Sequence, residues 1–235
     1  MLKKTGVFIH GAGGSSQVWA NQISSIKGHD LIALDLPGHG SSIEPPLTSI
    51  ENYRQFVWDE IIREPKEPQN IVLIGHSMGG AIAMDLALTY PEFVEGVILI
   101  STGAKLRVNP AIFDSLSQGN HPFEIIHALY SPTVSPSQIR QAAEEMENVR
   151  TEVYWADFLA CDGFNRVETI PSLCVPALIL CGDEDRMTPL KYSQYLHKSI
   201  ADSQLKIIPG AGHMCMLEKP EEISQAITEF LNNLP

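Results

Sequence analysis

At 235 residues the chain is long for one domain of about 150 residues and short for two, which points to one large domain or a domain carrying a substantial insertion. Hydrophobic residues at 44% against 19% charged exclude a disordered or fibrous chain and lead to the expectation of a soluble globular fold. A formal net charge of −12, from 16 basic and 28 acidic residues with no basic run, excludes a surface that tracks a phosphate backbone, so no nucleic-acid partner is expected.

Met1–Lys4 run directly into the strand-like Thr5–His10, without the charged start, apolar stretch and cleavage site of a signal peptide. No apolar run approaches the roughly 20 residues of a membrane span. Four cysteines, Cys161, Cys174, Cys181 and Cys215, show no C-x-x-C spacing, and the chain is too large to need disulfide staples. The expectation is a cytoplasmic protein with reduced thiols, no zinc site and no membrane span.

Strand candidates follow in order: Gly6–His10, Asp30–Leu36, Asn70–Gly75, Val94–Ile100, Ala177–Cys181 and the shorter Gln204–Ile208. Most are almost wholly apolar, as strands buried on both faces must be. Helical patterns lie between them. Thr48 and Glu51 have the spacing of a capping box ahead of Ile50, Tyr53, Val57 and Ile61. Pro220 opens a last helix with Ile223, Ala226, Ile227, Phe230 and Leu231 on one face. Strand and helix in alternation predict a doubly wound α/β fold with a mainly parallel sheet of about six strands, whose ligands bind at the carboxyl ends of the strands.

Residues 103–168 interrupt the alternation. They hold no convincing buried strand, only helical patches at Pro110–Gln118, Pro122–Tyr130, Pro136–Val149 and Thr151–Asp162, punctuated by proline and glycine. An all-helical insertion leaving the sheet at its carboxyl edge would cover the binding face as a cap. The expected organisation is a core of residues 1–102 and 169–235 with a cap of 103–168 inserted in it.

Gly75-His-Ser-Met-Gly79 follows a strand and runs into a helix of small and apolar residues, the context of a G-x-S-x-G nucleophile elbow. Such a turn exposes the Ser77 hydroxyl at the top of the sheet, with glycines where a Cβ would collide with neighbouring backbone. A serine hydroxyl needs a base to remove its proton. His76 points away from Ser77, and His10 and His39 lie beside early glycines. His213, in Gly210-Ala-Gly-His213 after the last strand, completes the chain order serine, acid, histidine. The acid that orients it is expected in Cys181-Gly-Asp-Glu-Asp185, where Asp183, Glu184 and Asp185 are equivalent by periodicity.

His10-Gly-Ala-Gly-Gly14, Asp35-Leu-Pro-Gly-His-Gly-Ser41, Gly75-His-Ser-Met-Gly79, Gly182-Asp-Glu-Asp-Arg-Met-Thr-Pro189 and Gly210-Ala-Gly-His213 together resemble the consecutive signatures of the α/β-hydrolase superfamily, from first strand to last loop. The superfamily's usual first two strands have no room before Gly6, so the resemblance implies a trimmed sheet. It further implies Asp185 as the acid, with Asp183 in reserve, and a structural role for Asp35–Ser42. Backbone N–H groups of Met78, directly after the nucleophile, and of Ala12, in the H-G-x pattern, would form the oxyanion hole. A serine at the elbow argues against the superfamily's dehalogenases and epoxide hydrolases, which attack through an aspartate. Cys215, next but one to His213, reads as a buried thiol.

The reaction implied is carboxylesterase chemistry through an acyl-enzyme, without metal or organic cofactor, on a small ester with an apolar acyl or alcohol part. Gly11, Phe113, Phe123, Trp155 and Met187 are expected to line its pocket. C–C bond hydrolases, enol-lactonases and the menaquinone-pathway synthase are similar too, though that synthase usually carries an arginine where this chain has Ala81. A small-molecule sensor retaining a hydrolase triad is the reading from another class. A homo-oligomer is left open.

Overall fold

A computed structural model describes residues 3–63 and 70–235; residues 1 and 2, part of the segment read above for a targeting signal, lie outside the described residues. In chain order the elements are β1 (Thr5–Ile9), α1 (Ala20–Ser25), β2 (Asp30–Leu34), α2 (Ile50–Ile62), β3 (Ile71–His76), α3 (Met78–Thr89), β4 (Val94–Ile100), α4 (Pro110–Ser117), α5 (Ile126–Leu129), α6 (Pro136–Glu147), α7 (Thr151–Gly163), β5 (Ala177–Gly182), α8 (Lys191–Ser199), β6 (Ser203–Ile208), α9 (Cys215–Glu218) and α10 (Pro220–Asn233). The six strands form one sheet in the order β2-β1-β3-β4-β5-β6, and every pairing is parallel.

Period-two alternation sends successive strand residues to opposite faces, and both faces are covered. Val7, Ile9, Leu73, Val97, Leu99 and Ile179 pack with α2, α3 and α8; Phe8, Val72, Ile74, Ile98, Leu178 and Leu180 pack with Trp19 and α10. All six residues of β3 are buried. Each such aliphatic side chain contributes about 1.5–3 kcal/mol of burial, so the centre of the sheet is the rigid platform from which the loops at its carboxyl edge project.

The cap of α2 differs from the sequence expectation. Ser49, not Thr48, is the N-cap: its backbone is extended and its Oγ accepts from Asn52 N at 3.2 Å. With the cap one residue later, Glu51 falls outside the capping-box position and instead accepts from the Arg166 guanidinium at 2.6 Å.

Between β4 and β5 the chain makes a helical excursion, α4 to α7, with a 3-10 turn at Phe123–Ile125 in place of the first part of the expected Pro122–Tyr130 helix. The one bridge outside the sheet strands among the described residues, the antiparallel pair Lys105 and Asn165, closes the base of the excursion. Arg166 fastens that base: its N–H donates to Ala104 O at 2.7 Å and its Nε to Asp85 of α3 at 2.6 Å. Ile112, Leu116, Ile125, Ile126, Met146, Tyr154 and Phe158 form a separate apolar cluster within the excursion. Helix α7 serves two cores, because its Ala160 and Cys161 belong to the main cluster beneath.

Candidate active site

The turn between β3 and α3 carries Ser77 at φ 51°, ψ −114°, a conformation that costs a non-glycine residue about 1–3 kcal/mol and persists only where the surroundings impose it. Its N–H donates to Ile100 O at 2.9 Å, and its carbonyl accepts from Thr102 Oγ1 at 2.8 Å. Two glycines permit the close approach. A Cβ on Gly75 would lie 2.2 Å from Gly79 O, and one on Gly79 would lie 2.2 Å from Ile9 O. Both obstacles are backbone, which cannot step aside. The strained turn is thereby clamped between β1, β4 and α3.

His213 is buried on the loop after β6, and its Nδ1 lies 3.0 and 3.1 Å from the two carboxylate oxygens of Asp185, on the loop after β5. Asp185 also accepts from Met187 N, Thr188 N and Thr188 Oγ1, each at 2.9 Å. Burial pushes this carboxyl up, but the His213 charge and the hydrogen bonds from His213 and Thr188 outweigh it and hold the pKa at about 2. The neighbouring acids are committed elsewhere: Asp183 accepts from Gly210 N at 2.7 Å, and Glu184 accepts from Ser131 Oγ. With Nδ1 on Asp185, His213 lines the same cavity as Ser77, and among the described residues its Nε2 makes no hydrogen bond within the chain. Among the described residues no hydrogen bond joins Ser77 to His213 in this structure; catalytic hydrogen bonds of this kind commonly shorten only when substrate arrives.

His76 braces the same loop. Its Nε2 donates to His213 O at 3.0 Å, and the two rings lie 4.7 Å apart. Burial and the adjacent His213 drop its pKa to about 3, so it remains neutral.

The loop after β1 completes the site. A Cβ on Gly11 would lie 3.2 Å from Ser77 Cβ, which places this backbone directly against the elbow. Gly13 adopts φ +65°, and Gly14 N donates to Gly11 O at 3.1 Å, closing a tight turn around Ala12. Among the described residues neither Ala12 N–H nor Met78 N–H donates to an acceptor in the chain. His10 is locked as a neutral imidazole: Nδ1 donates to Gly11 O at 2.8 Å and Nε2 accepts from Leu36 N at 3.1 Å, with burial first and His39 second lowering its pKa to about 4. In the Asp35–Ser42 loop, Asp35 accepts from Ser41 N and Oγ within its own turn and from Ser16 N across to the segment after β1, a structural tie between the two loops.

A cavity of about 130 Å³ opens beside Ser77 and His213. Gly11 and Met187 line it. Phe113, Phe123 and Trp155 do not, contrary to the sequence expectation: Phe113 packs edge-on against Trp155, Phe123 lies beside His121, and Trp155 and Phe123 are exposed. Helical phase is the reason. Tyr154 and Phe158, four residues apart on α7, share the face turned to the cavity, and Trp155 is rotated about 100° from it. The remaining wall is mainly Ile125, Leu129, Tyr130, Met146, Met214 and Leu217, with Glu145 as its carboxylate. Sequence reasoning also passed over Asp157, fully buried on α7; an aspartate inside the apolar run Val153-Tyr-Trp-Ala-Asp-Phe-Leu-Ala160 was the available signal. Cys215 is buried, its thiol pushed up to about 12 by desolvation, so it is no thiolate nucleophile.

The fold and this site define a class: a doubly wound parallel domain with a serine on a strained strand-to-helix turn, lining one cavity with a histidine held by a buried aspartate. A family model for the alpha/beta hydrolase family matches residues 7–226, and the chain belongs to that family. It is 31% identical over 249 residues to Protein ABHD8 of Bos taurus, covering 95% of this chain and 55% of that protein, so the chain spans about half the length of these curated relatives. It is 29% identical over 255 residues to a Bacillus subtilis (strain 168) protein named Uncharacterized hydrolase YugF, covering 97% and 90% of the two chains. A solved structure of a thermophilic esterase superposes with a TM-score of 0.85 at 33% identity, covering 97% of this chain and 89% of that one. Among the described residues no helix is long and apolar enough to cross a membrane.

Proposed function

We propose that the protein is a carboxylesterase-like serine hydrolase acting on small esters through an acyl-enzyme. Ser77 Oγ attacks the ester carbonyl while His213 Nε2 takes its proton, and Asp185 holds the imidazole with Nδ1–H bonded away from the nucleophile. The N–H groups of Ala12 and Met78 receive the charge that develops on the carbonyl oxygen. Fixed donors in a water-poor site contribute several kcal/mol, with the amino end of α3 adding to the Met78 side. His213 returns the proton to the departing alcohol. Water, deprotonated by the same imidazole, then releases the acid. Helices α4–α7 act as a cap, supplying most of the apolar wall.

The observation that carries this reading is the buried Asp185–His213 pair turned toward a cavity whose floor is the strained Ser77. The cavity decides the substrate size. About 130 Å³ is well below the ~300 Å³ at the lower end of pockets for drug-sized ligands, and its wall is mostly apolar. Short acyl chains are therefore favoured. Turnover of p-nitrophenyl acetate, butyrate, octanoate and decanoate is the test, with Ser77→Ala as the control. Expected is a kcat/KM maximum at acetate or butyrate and its loss in the variant. No serine-dependent turnover of any of these esters would sink the reading.

A further inference from the structure

Asp157 lies on α7, in the helical excursion, yet among the described residues every hydrogen-bond partner of its side chain belongs to the sheet domain. Oδ2 accepts from Gly13 N at 2.8 Å and from His39 Nε2 at 2.8 Å, and Oδ1 accepts from Tyr53 Oη at 2.6 Å. The three donors come from three separate places: the loop after β1, the loop after β2, and α2. Neither the Asp157 nor the His39 side chain is exposed. A buried carboxylate is costly unless it is paired and its lone pairs are filled, and these three donors meet that requirement.

His39 cannot serve as a base. Its Nδ1 faces Pro37 O at 3.0 Å, so both ring nitrogens are committed as donors. Burial lowers its pKa, but the hydrogen bond and charge of Asp157 outweigh burial, and the net direction is upward. Tyr154, one turn before Asp157 on α7, closes over the same loop: a Cβ on Gly13 would lie 2.0 Å from its ring. Helix α7 thus holds Gly13 by its amide and covers it with an aromatic ring.

We infer that Asp157 is a positioning residue for the loop after β1: from the excursion it grips the Gly13 amide and thereby fixes the adjacent Ala12 N–H in the geometry an oxyanion needs. This inference rests on the serine-hydrolase reading for its catalytic consequence, but the grip itself is measurable without activity. Gly13 has a left-handed backbone and no side chain, so nothing of its own anchors it. A misplacement of about 1 Å in an oxyanion donor costs on the order of 10- to 100-fold in rate.

The test is Asp157→Asn, with kcat and KM for p-nitrophenyl acetate, the inhibition constant of a trifluoromethyl ketone, and hydrogen exchange of the Gly13 amide followed by NMR. Expected are a kcat lower by about tenfold or more, KM within about threefold, inhibitor binding weakened in parallel with kcat, and a Gly13 amide exchanging at least about tenfold faster. A folded variant with unchanged kcat, or with raised KM and unchanged kcat, overturns the inference. So does a Gly13 amide that exchanges equally fast in both proteins. If the wild-type protein turns over no ester in a Ser77-dependent way, the hydrolase reading falls, and the Gly13 exchange rate still decides the grip. If Asp157→Asn does not fold, Tyr53→Phe removes one donor and leaves the other two: expected is about a threefold loss in kcat with KM unchanged, and an unchanged kcat overturns the inference.

Discussion

Two buried aspartate–histidine pairs sit among the described residues of this fold, and we propose opposite uses for them. Asp185 and His213 meet at 3.0 Å, Asp157 and His39 at 2.8 Å, and in each pair both side chains are nearly or fully buried. What separates them is the second ring nitrogen. In His213, which lines the cavity with Ser77, it makes no hydrogen bond among the described residues; in His39 the remaining nitrogen is bound to Pro37 O. A carboxylate beside an imidazole therefore does not make a base. A free nitrogen beside a reactive hydroxyl does, and in the proposed mechanism the first pair transfers a proton where the second holds a loop.

The sharpest way to break that comparison is to remove the hydroxyl on which the proposed base would act. Ser77→Ala should lower kcat for p-nitrophenyl butyrate by about 10⁴-fold or more, to the residual rate left by the oxyanion donors and binding. Next in size, Asp185→Asn should cost about 10²- to 10⁴-fold in kcat, because the amide cannot hold Nδ1–H in the productive tautomer. Asp183→Asn, which touches only the Gly210 turn, should cost less than about threefold. If Asp183→Asn is the more damaging, the pairing of roles is wrong. Smaller still is the effect of Asp157→Asn described above, on the holding side of the comparison.

A further effect is expected on stability. His10 and His76 are held neutral, with pKa values of about 4 and about 3 against 6.5 in the unfolded chain. The unfolded state takes up their protons first, so stability falls as pH drops from about 6.5 toward 4, by up to about 1.4 kcal/mol per pH unit for each histidine. His39 has the opposite sign: its raised pKa gives a contribution fully present below about 6.5 and lost as pH rises through the raised value. Urea unfolding of the wild type and of His10→Asn between pH 4 and 6.5 checks this. The variant should show the shallower slope, and an identical slope would remove His10 from the explanation.

The sheet was readable because strands covered on both faces carry apolar residues without interruption, as β3 does from Ile71 to Ile74. The elbow was readable because glycine at 75 and 79 is dictated by backbone a little over 2 Å away, a demand no other residue meets. Three features were hidden, each for its own reason. The α2 cap had two adjacent hydroxyls, Thr48 and Ser49, and only backbone conformation chooses between them. The cavity wall depended on helical phase, which put Tyr154 and Phe158 inside and Trp155 outside. The Asp157–His39 contact joins residues 118 positions apart, and nothing local in either segment announces it. The three acids at 183–185 were likewise inseparable by pattern; what distinguishes Asp185 is that Met187, Thr188 and His213 all converge on it.

The most direct measurement is to quench the wild-type protein during turnover of p-nitrophenyl butyrate and to locate the acyl group by mass spectrometry. A butyryl ester on Ser77, formed at least as fast as kcat and absent from His213→Ala on the same timescale, is the result expected of a nucleophile served by the Asp185–His213 pair. An acyl group on another residue, or steady turnover with Ser77 never acylated, would contradict it.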